Sequence, residues 1–141
     1  MQITSRSAND FLAELPEAYR ADMNALDAII APVFAGDTRV MWEGVFWGGT
    51  EQSIIGYGDL KQARPKGDTV HWFVVGLAQQ KSGISVYVNA VKDGQYLGKV
   101  YGKSLGEVKI GSASIGFKRL VGLDIAEFTA MIREARELTH K

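Results

Sequence analysis

Apolar residues recur at spacings of three and four in two long stretches of the chain, the pattern of an amphipathic helix. The first predicted helix runs from about residue 16 to about residue 34, and its stripe comprises Tyr19, Met23, Leu26, Ile30 and Val33. The second reaches about Leu138, with a stripe of Ile125, Phe128, Ile132 and Ala135. Asp124 followed by Glu127 predicts a capping box at its start. A short helix capped by Ser7 or Asp10 is predicted before Pro16.

Between these helices the pattern changes to that of strands. The stretches "RVMWEGVFWGG", "SIIGYGDL" and "ISVYV" are rich in β-formers and are bounded by glycine or polar turns. The run "VHWFVVGLA" predicts one central strand, in which Trp72 and Phe73 point to opposite faces. "EVKIGSASIGFKRL" predicts a further strand with Ile115 and Phe117 in the core, and "GQYLGKVYG" predicts a short helix.

Strands in a consecutive block between helices indicate an α+β fold. We expect an antiparallel sheet of about five strands, with the N-terminal and C-terminal helices packed on one face. The length of 141 residues suits one domain spanning residues 1–141.

Gly102-Lys103-Ser104 resembles half of a phosphate-binding loop. The Walker pattern needs a glycine five positions before Gly102, where this chain has Leu97, and Gly98 is one position too late. The loop should also follow a strand and open a helix, whereas here a predicted helix comes first. A helix end closed by Gly102, with Lys103 near the negative end of the dipole, accounts better for the segment.

Composition narrows the possible functions. The chain has no cysteine, which excludes disulfides, thiolate metal sites and cysteine nucleophiles. The start of the chain lacks an apolar signal core, and no apolar run is long enough to span a membrane, so we expect a cytoplasmic protein without membrane contact.

The net charge is zero but unevenly distributed, at −6 over residues 1–60, +7 over 61–119 and −1 over 120–141. Either the two halves neutralise each other in the fold, or the basic segment faces an anionic ligand through Lys99, Lys103, Lys118 and Arg119. The overall balance argues against nucleic acid as a partner.

Aromatic residues concentrate in the predicted sheet, accompanied by one acidic and one basic side chain. Aromatic walls with a few polar groups are typical of small-molecule pockets, but aromatics also fill cores and dimer interfaces. The candidate ligand-binding residues are Trp42, Glu43, Trp47, Tyr57, Trp72, Lys81 and Tyr87.

Catalytic and metal-binding patterns are weak. His71 lies in an apolar strand without a second ligand nearby, and no nucleophile, histidine and acid arrangement is legible, so we lean away from an enzyme. Of the acidic residues on the first helices, Asp22 and Asp27 are the metal candidates.

Three segments resemble the YdhG-like domain of unknown function, a bacterial-type family. "GLAQQKSGISVYV" is similar to its G-L-A-x-x-K-x-x-I-S-x-Y stretch, "GKSLGEVKIGSASIGFKRLVGLDI" to its segment before the last helix, and "FLAELPEAYRADMNAL" to its first helix. The resemblance implies a compact α+β sandwich with no established enzymatic activity. It also implies a frataxin-like shape, and some members are described as intracellular iron chaperones.

The leading hypothesis is a small non-catalytic binding domain. It would use its aromatic sheet face for a small molecule or for a second copy of itself, without a cofactor. The alternative is a frataxin-like iron-binding chaperone, and the third option is an uncharacterised enzyme.

Overall fold

A computed structural model describes residues 2–45, 49–63 and 69–139. The α-helices of these residues are α1 (Ala8–Ala13), α2 (Glu17–Val33), α3 (Leu97–Tyr101) and α4 (Ile125–Thr139). Single 3-10 turns follow at Gly102–Leu105 and Leu120–Gly122. None of the helices in the described ranges is long and apolar enough to cross a membrane.

The main sheet has seven strands and is antiparallel throughout, in the order β1-β2-β3-β6-β7-β11-β10. Two small hairpins, β4–β5 and β8–β9, form separate two-stranded sheets. The strands are β1 (Gln2–Thr4), β2 (Arg39–Val45), β3 (Glu51–Tyr57), β4 (Leu60–Ala63), β5 (Thr69–Trp72), β6 (Val75–Gln80), β7 (Gly83–Val88), β8 (Val91–Lys92), β9 (Gln95–Tyr96), β10 (Lys109–Ile110) and β11 (Ser114–Phe117).

The N-terminal caps of α1 and α4 form as the sequence predicts, except for one hydrogen bond of the capping box before α4. The Ser7 side chain accepts the N–H of Asp10 at the start of α1. Before α4, Asp124 Oδ1 accepts the N–H of Glu127 at 3.0 Å, as the capping box predicts. The reciprocal bond is replaced, because the N–H of Asp124 donates to the carbonyl of Leu105 at 2.7 Å. That bond ties the start of α4 to the turn after α3.

One face of the sheet forms the main core with the helices. Met23, Leu26 and Ile30 of α2 share a buried cluster with α1, α4 and the inward residues of the central strands. Alternate residues of the same strands point to the opposite face, which we call the outer face. A second, smaller cluster covers that outer face and consists of buried Trp42, Ile54, Phe73 and Ala78, with Val40, Trp72 and Tyr87 packed against it.

The prediction of one central strand over "VHWFVVGLA" is wrong. The run is split between β5 and β6, which belong to different sheets. The break is stabilised by hydrogen bonds outside the ladder, since the N–H of Val74 donates to the Tyr57 carbonyl and Asn89 Nδ2 donates to the Phe73 carbonyl. Alternation therefore stops at Trp72, and Trp72 and Phe73 stack on each other at 4.4 Å instead of pointing apart.

Other differences concern short elements. The sheet has seven strands where about five were expected. The extra strands are β1, which precedes the first helix, and the division of "EVKIGSASIGFKRL" into the β10–β11 hairpin. Ile115 and Phe117 are buried as predicted. The helix predicted over "GQYLGKVYG" ends at Gly102 as expected but begins only at Leu97, because Gln95 and Tyr96 pair with β8 as strand β9.

Candidate ligand-binding site

Two glycines allow aromatic rings to pack directly against the outer face of the sheet. A Cβ atom at Gly56 would come within 2.5 Å of the Trp42 indole, and one at Gly76 within 2.4 Å of the Phe73 ring. Gly56 and Gly76 face each other across β3 and β6, so the two rings occupy adjacent hollows. Gly56 is therefore a strand position on which an aromatic ring is seated.

Four aromatic side chains form a connected cluster above these glycines. The ring centroids of Trp42 and Trp72 are 5.0 Å apart and tilted by 64°, and Trp42 contacts Phe73 in a similar edge geometry at 6.0 Å. Phe73 in turn reaches Tyr87 at 6.3 Å. Trp42 is only 7% exposed and Phe73 is fully buried, so most of this cluster is a second core.

A cleft is open beside the cluster, at the end nearest β1. Its walls are Ile3, Val40, Trp42 and Trp72, and its volume is about 220 Å³. Asp59, His71, Thr38 and Gly58 complete the described lining. We call this space the aromatic cleft.

A polar pair stands at the rim of the aromatic cleft. The Asp59 carboxylate lies 3.2 Å from His71 Nδ1, and both side chains are largely exposed. Their approach follows from the β4–β5 hairpin, in which Leu60 pairs with Trp72 and Lys61 with His71. Asp59 is the acidic residue of the described lining, so its carboxylate favours a ligand that carries a cation or a hydrogen-bond donor.

The predicted site residues Trp42, Trp72 and Tyr87 thus share one face, but only the two tryptophans reach the cleft. Tyr87 lies at the opposite end of the cluster, where Gln80 Nε2 donates to its hydroxyl at 3.1 Å. Burial raises the pKa of Tyr87, against the lowering effect of hydrogen bonds with Ser85 and Gln80. Lys81 is exposed in the turn between β6 and β7 and does not line the cleft.

Tyr57 is on the other face of the sheet, within the main core. Its hydroxyl donates to Asp27 at 2.6 Å, and Arg39 binds both oxygens of the same carboxylate at 3.0 and 2.8 Å. Burial, with the nearby Asp27 charge, raises the pKa of Tyr57 well above its ordinary value. Tyr57 therefore belongs to a structural network and lies apart from the aromatic cleft.

Glu43 also points away from the outer face. Its carboxylate accepts hydrogen bonds from Thr4 at 2.7 Å, Ser53 at 2.8 Å and Arg6 at 3.2 Å. The hydrogen bond from Thr4, assisted by those from Ser53 and Arg6, lowers the pKa of Glu43. These bonds join β1, β2 and β3 at one end of the sheet. Trp47, the remaining candidate, lies outside the described residues.

The two metal candidates are engaged elsewhere. Asp22 accepts from Arg119 Nε at 3.0 Å and from the N–H of Leu120 at 3.1 Å, while Asp27 is held by Arg39 and Tyr57. In the described part of the chain, no group of three or more histidine and acidic side chains is arranged to hold a metal ion. Asp22 is bound through Oδ2, whereas both oxygens of Asp27 are bound by Arg39.

Asp59 is the functional candidate that sequence reasoning missed. It follows Gly58 at the end of the predicted strand "SIIGYGDL", where a single acidic residue carries no signal, and its partner His71 is twelve positions away. A hairpin assignment for "GDLKQA" and "TVHW" would have brought the two residues together.

Comparison of the chain with protein-family models, with curated proteins and with solved structures finds no match.

Proposed function

We propose that this chain is a small binding domain of the YdhG-like type, and that its aromatic cleft takes a small ligand with an apolar or aromatic body and an amine. One observation carries the proposal. The described residues of the outer-face cluster are packed largely like a core, and at this cleft two tryptophans and an acidic side chain converge.

The chemistry of the walls supports this ligand class. Tryptophan faces attract cations through the ring quadrupole, and the Asp59 carboxylate adds a charge-assisted acceptor at the rim. The volume of about 220 Å³ is below the roughly 300–1,000 Å³ of pockets for drug-sized molecules, so the ligand is a small one.

Titration of the intrinsic tryptophan fluorescence with benzylamine and with phenylacetate tests the proposal. The two probes share a ring and differ in the sign of their charge, so we expect a saturable change with benzylamine alone. Asp59→Asn should weaken benzylamine binding by about tenfold, because it removes the charge and keeps the shape.

Asp93→Asn is the matched control. Asp93 is exposed in the β8–β9 turn with a positive φ of 51°, a conformation that asparagine also accepts. This variant should bind benzylamine like the parent chain. Equal responses to the two probes, or equal losses in the two variants, would contradict the proposal.

Self-association through the same face is the second candidate. Ile3 is 53% exposed beside Trp42 on the edge strand β1, where backbone groups are open to another strand. Light scattering across a range of protein concentrations distinguishes the two. A dimer that dissociates on Ile3→Lys, with no response to benzylamine, would favour the second copy over the small ligand.

A further inference from the structure

A basic groove lies at the opposite edge of the sheet from the aromatic cleft. It runs between the β10–β11 hairpin and the two 3-10 turns, with a volume of about 940 Å³. Its cationic lining residues are Lys103, Lys109, Lys118 and Arg119, and Glu107 is the acidic residue of its described lining. Lys103, Lys118 and Arg119, three of the four basic residues that the sequence offers for an anionic ligand, therefore line one groove together with Lys109. The fourth, Lys99, lies outside the groove.

The lysines of this groove are not neutralised. Within residues 2–45, 49–63 and 69–139, the ion pairs include none made by Lys103, Lys109 or Lys118. Arg119 pairs with Asp22 but keeps 58% of its side chain exposed. Convergent cations that outnumber the acidic residue of the described lining produce a positive potential that attracts anions, and a concave surface strengthens it.

The floor of the groove is bare backbone at Gly116. Lys109 pairs with Gly116 in the β10–β11 register, and Lys118 follows two positions later. A methyl group at Gly116 would meet only the carbonyl oxygens of Ile84 and Lys109, both at 3.9 Å. The space between the two lysines is therefore open down to the sheet, unlike the hollows at Gly56 and Gly76, which aromatic rings fill.

A second concavity of about 350 Å³ adjoins the groove and shares Lys109, Gly116 and Lys118 with it. Ser82 and Ser85 of the β6–β7 hairpin line its other side. The Ser82 hydroxyl is available to donate a hydrogen bond to a phosphate oxygen, whereas that of Ser85 is engaged with Tyr87, and the lysines supply the compensating charge. Lys109 and Lys118 thus stand between two spaces that each have their own polar walls.

We propose that this groove binds a small polyanion with two or more phosphate groups, centred on Gly116 between Lys109 and Lys118. Two adjoining spaces with shared lysines suit linked phosphates better than a single one. A nucleic acid strand is disfavoured because Phe117, the aromatic residue of the lining, is only 7% exposed and cannot serve as a stacking platform.

The Walker-like segment contributes only Lys103 to this site. The Ser104 hydroxyl donates to the carbonyl of Tyr101 at 2.6 Å and Gly102 ends α3, so the loop does not wrap a phosphate with its backbone. The proposal concerns binding and does not depend on the aromatic cleft, which lies by β1 at the far end of the strand order.

Isothermal titration with inorganic pyrophosphate and tripolyphosphate tests the proposal on the full chain. We expect saturable binding that weakens as salt increases, with tripolyphosphate the tighter of the two. Lys109→Gln and Lys118→Gln should each weaken binding by about tenfold. Lys99→Gln makes the same charge change on α3 outside the groove and should change the affinity by less than about twofold.

A steric variant separates a built site from general attraction. Gly116→Val keeps every charge but fills the floor, so it should reduce binding at least as much as Lys109→Gln; circular dichroism confirms that it folds. No binding at millimolar pyrophosphate, an equal loss in Lys99→Gln, or binding of single-stranded RNA alone would each overturn the proposal. Asp59→Asn should leave these titrations unchanged, so that this site and the aromatic cleft can fail separately.

Discussion

Individual side chains take their roles from which face of a strand they occupy. In β3, Ile55 and Tyr57 point into the main core, while Ile54 and Gly56 point to the outer face. Tyr57 therefore meets Asp27 and Arg39 at the helices, whereas Trp42 lies over Gly56 on the other side. Because both faces of this strand are buried, its sequence carries no apolar–polar alternation to assign the faces.

Tyr57→Phe should lower the free energy of unfolding by about 1.5–3 kcal/mol at neutral pH, because it removes a buried hydrogen bond to a carboxylate. Tyr19→Phe is the control, since Tyr19 is half-buried on α2 and its hydroxyl has no hydrogen bond to a described residue. Urea denaturation followed by circular dichroism measures both.

The effect of Tyr57→Phe should also shrink in base. The folded pKa of Tyr57 is raised, so above the ordinary value of 10 the unfolded tyrosine loses its proton while the folded one keeps it. The parent chain therefore loses stability as pH rises from about 10, and the phenylalanine variant lacks this loss. A difference that grows between pH 9 and pH 11 would contradict the placement of the hydroxyl.

Helices and strands form where the sequence predicts them if the apolar residues recur periodically. The prediction is wrong where the apolar residues form a continuous run. The helix predicted over residues 16–34 is α2 (Glu17–Val33), and the last predicted helix is α4, because 3.6-residue stripes and caps identify helices locally. At the break between Trp72 and Val75, no glycine or proline marks a turn. The run is divided into β5 and β6 by hydrogen bonds with residues distant in the chain. Asn89 donates to the Phe73 carbonyl, and the Tyr57 carbonyl accepts from the N–H of Val74.

The glycines on the outer face lead to a prediction about the stability of the sheet. Gly56→Ala and Gly76→Ala should each destabilise the protein by about 1–3 kcal/mol, because a new methyl group displaces Trp42 or Phe73 from its hollow. Gly116→Ala is the matched control on the same face, where the nearest atoms would be 3.9 Å away. It should stay within about 0.5 kcal/mol of the parent chain. Thermal unfolding measures all three, and equal losses would contradict the account of the hollows.

In the folded molecule, ion pairs neutralise only part of the charge imbalance between the acidic first part of the chain and its basic middle segment. Asp22 pairs with Arg119 and Asp37 with Arg136, which joins the acidic first half to later basic residues. Other acids of that half pair within it, as Asp27 does with Arg39 and Glu43 with Arg6. Lys103, Lys109 and Lys118 line one groove and are in none of the ion pairs of the described residues, so mutual neutralisation of the two halves is only partial.

Lys109→Gln should therefore stabilise the free protein slightly at low salt, by about 0.2–0.5 kcal/mol, because it relieves repulsion from Lys118 and Lys103. The gain should disappear at high ionic strength, where exposed charges are screened. Lys99→Gln should show no such salt-dependent gain. Chemical denaturation with urea, which is uncharged, at low and high sodium chloride checks this; a gain that persists in high salt would argue against convergent lysines.

From its sequence alone, the chain determines that it is an α+β protein with two amphipathic helices, capped starts and a block of antiparallel strands. These features depend on neighbours a few positions apart, which periodicity and capping residues record. Only the tertiary structure decided that Trp42 and Trp72 meet Asp59 and His71 at one cleft, that Tyr57 lies across the sheet from them, and that Lys103, Lys109 and Lys118 share one groove. Those encounters depend on strand register and sheet order, which are set by packing between residues far apart in the chain.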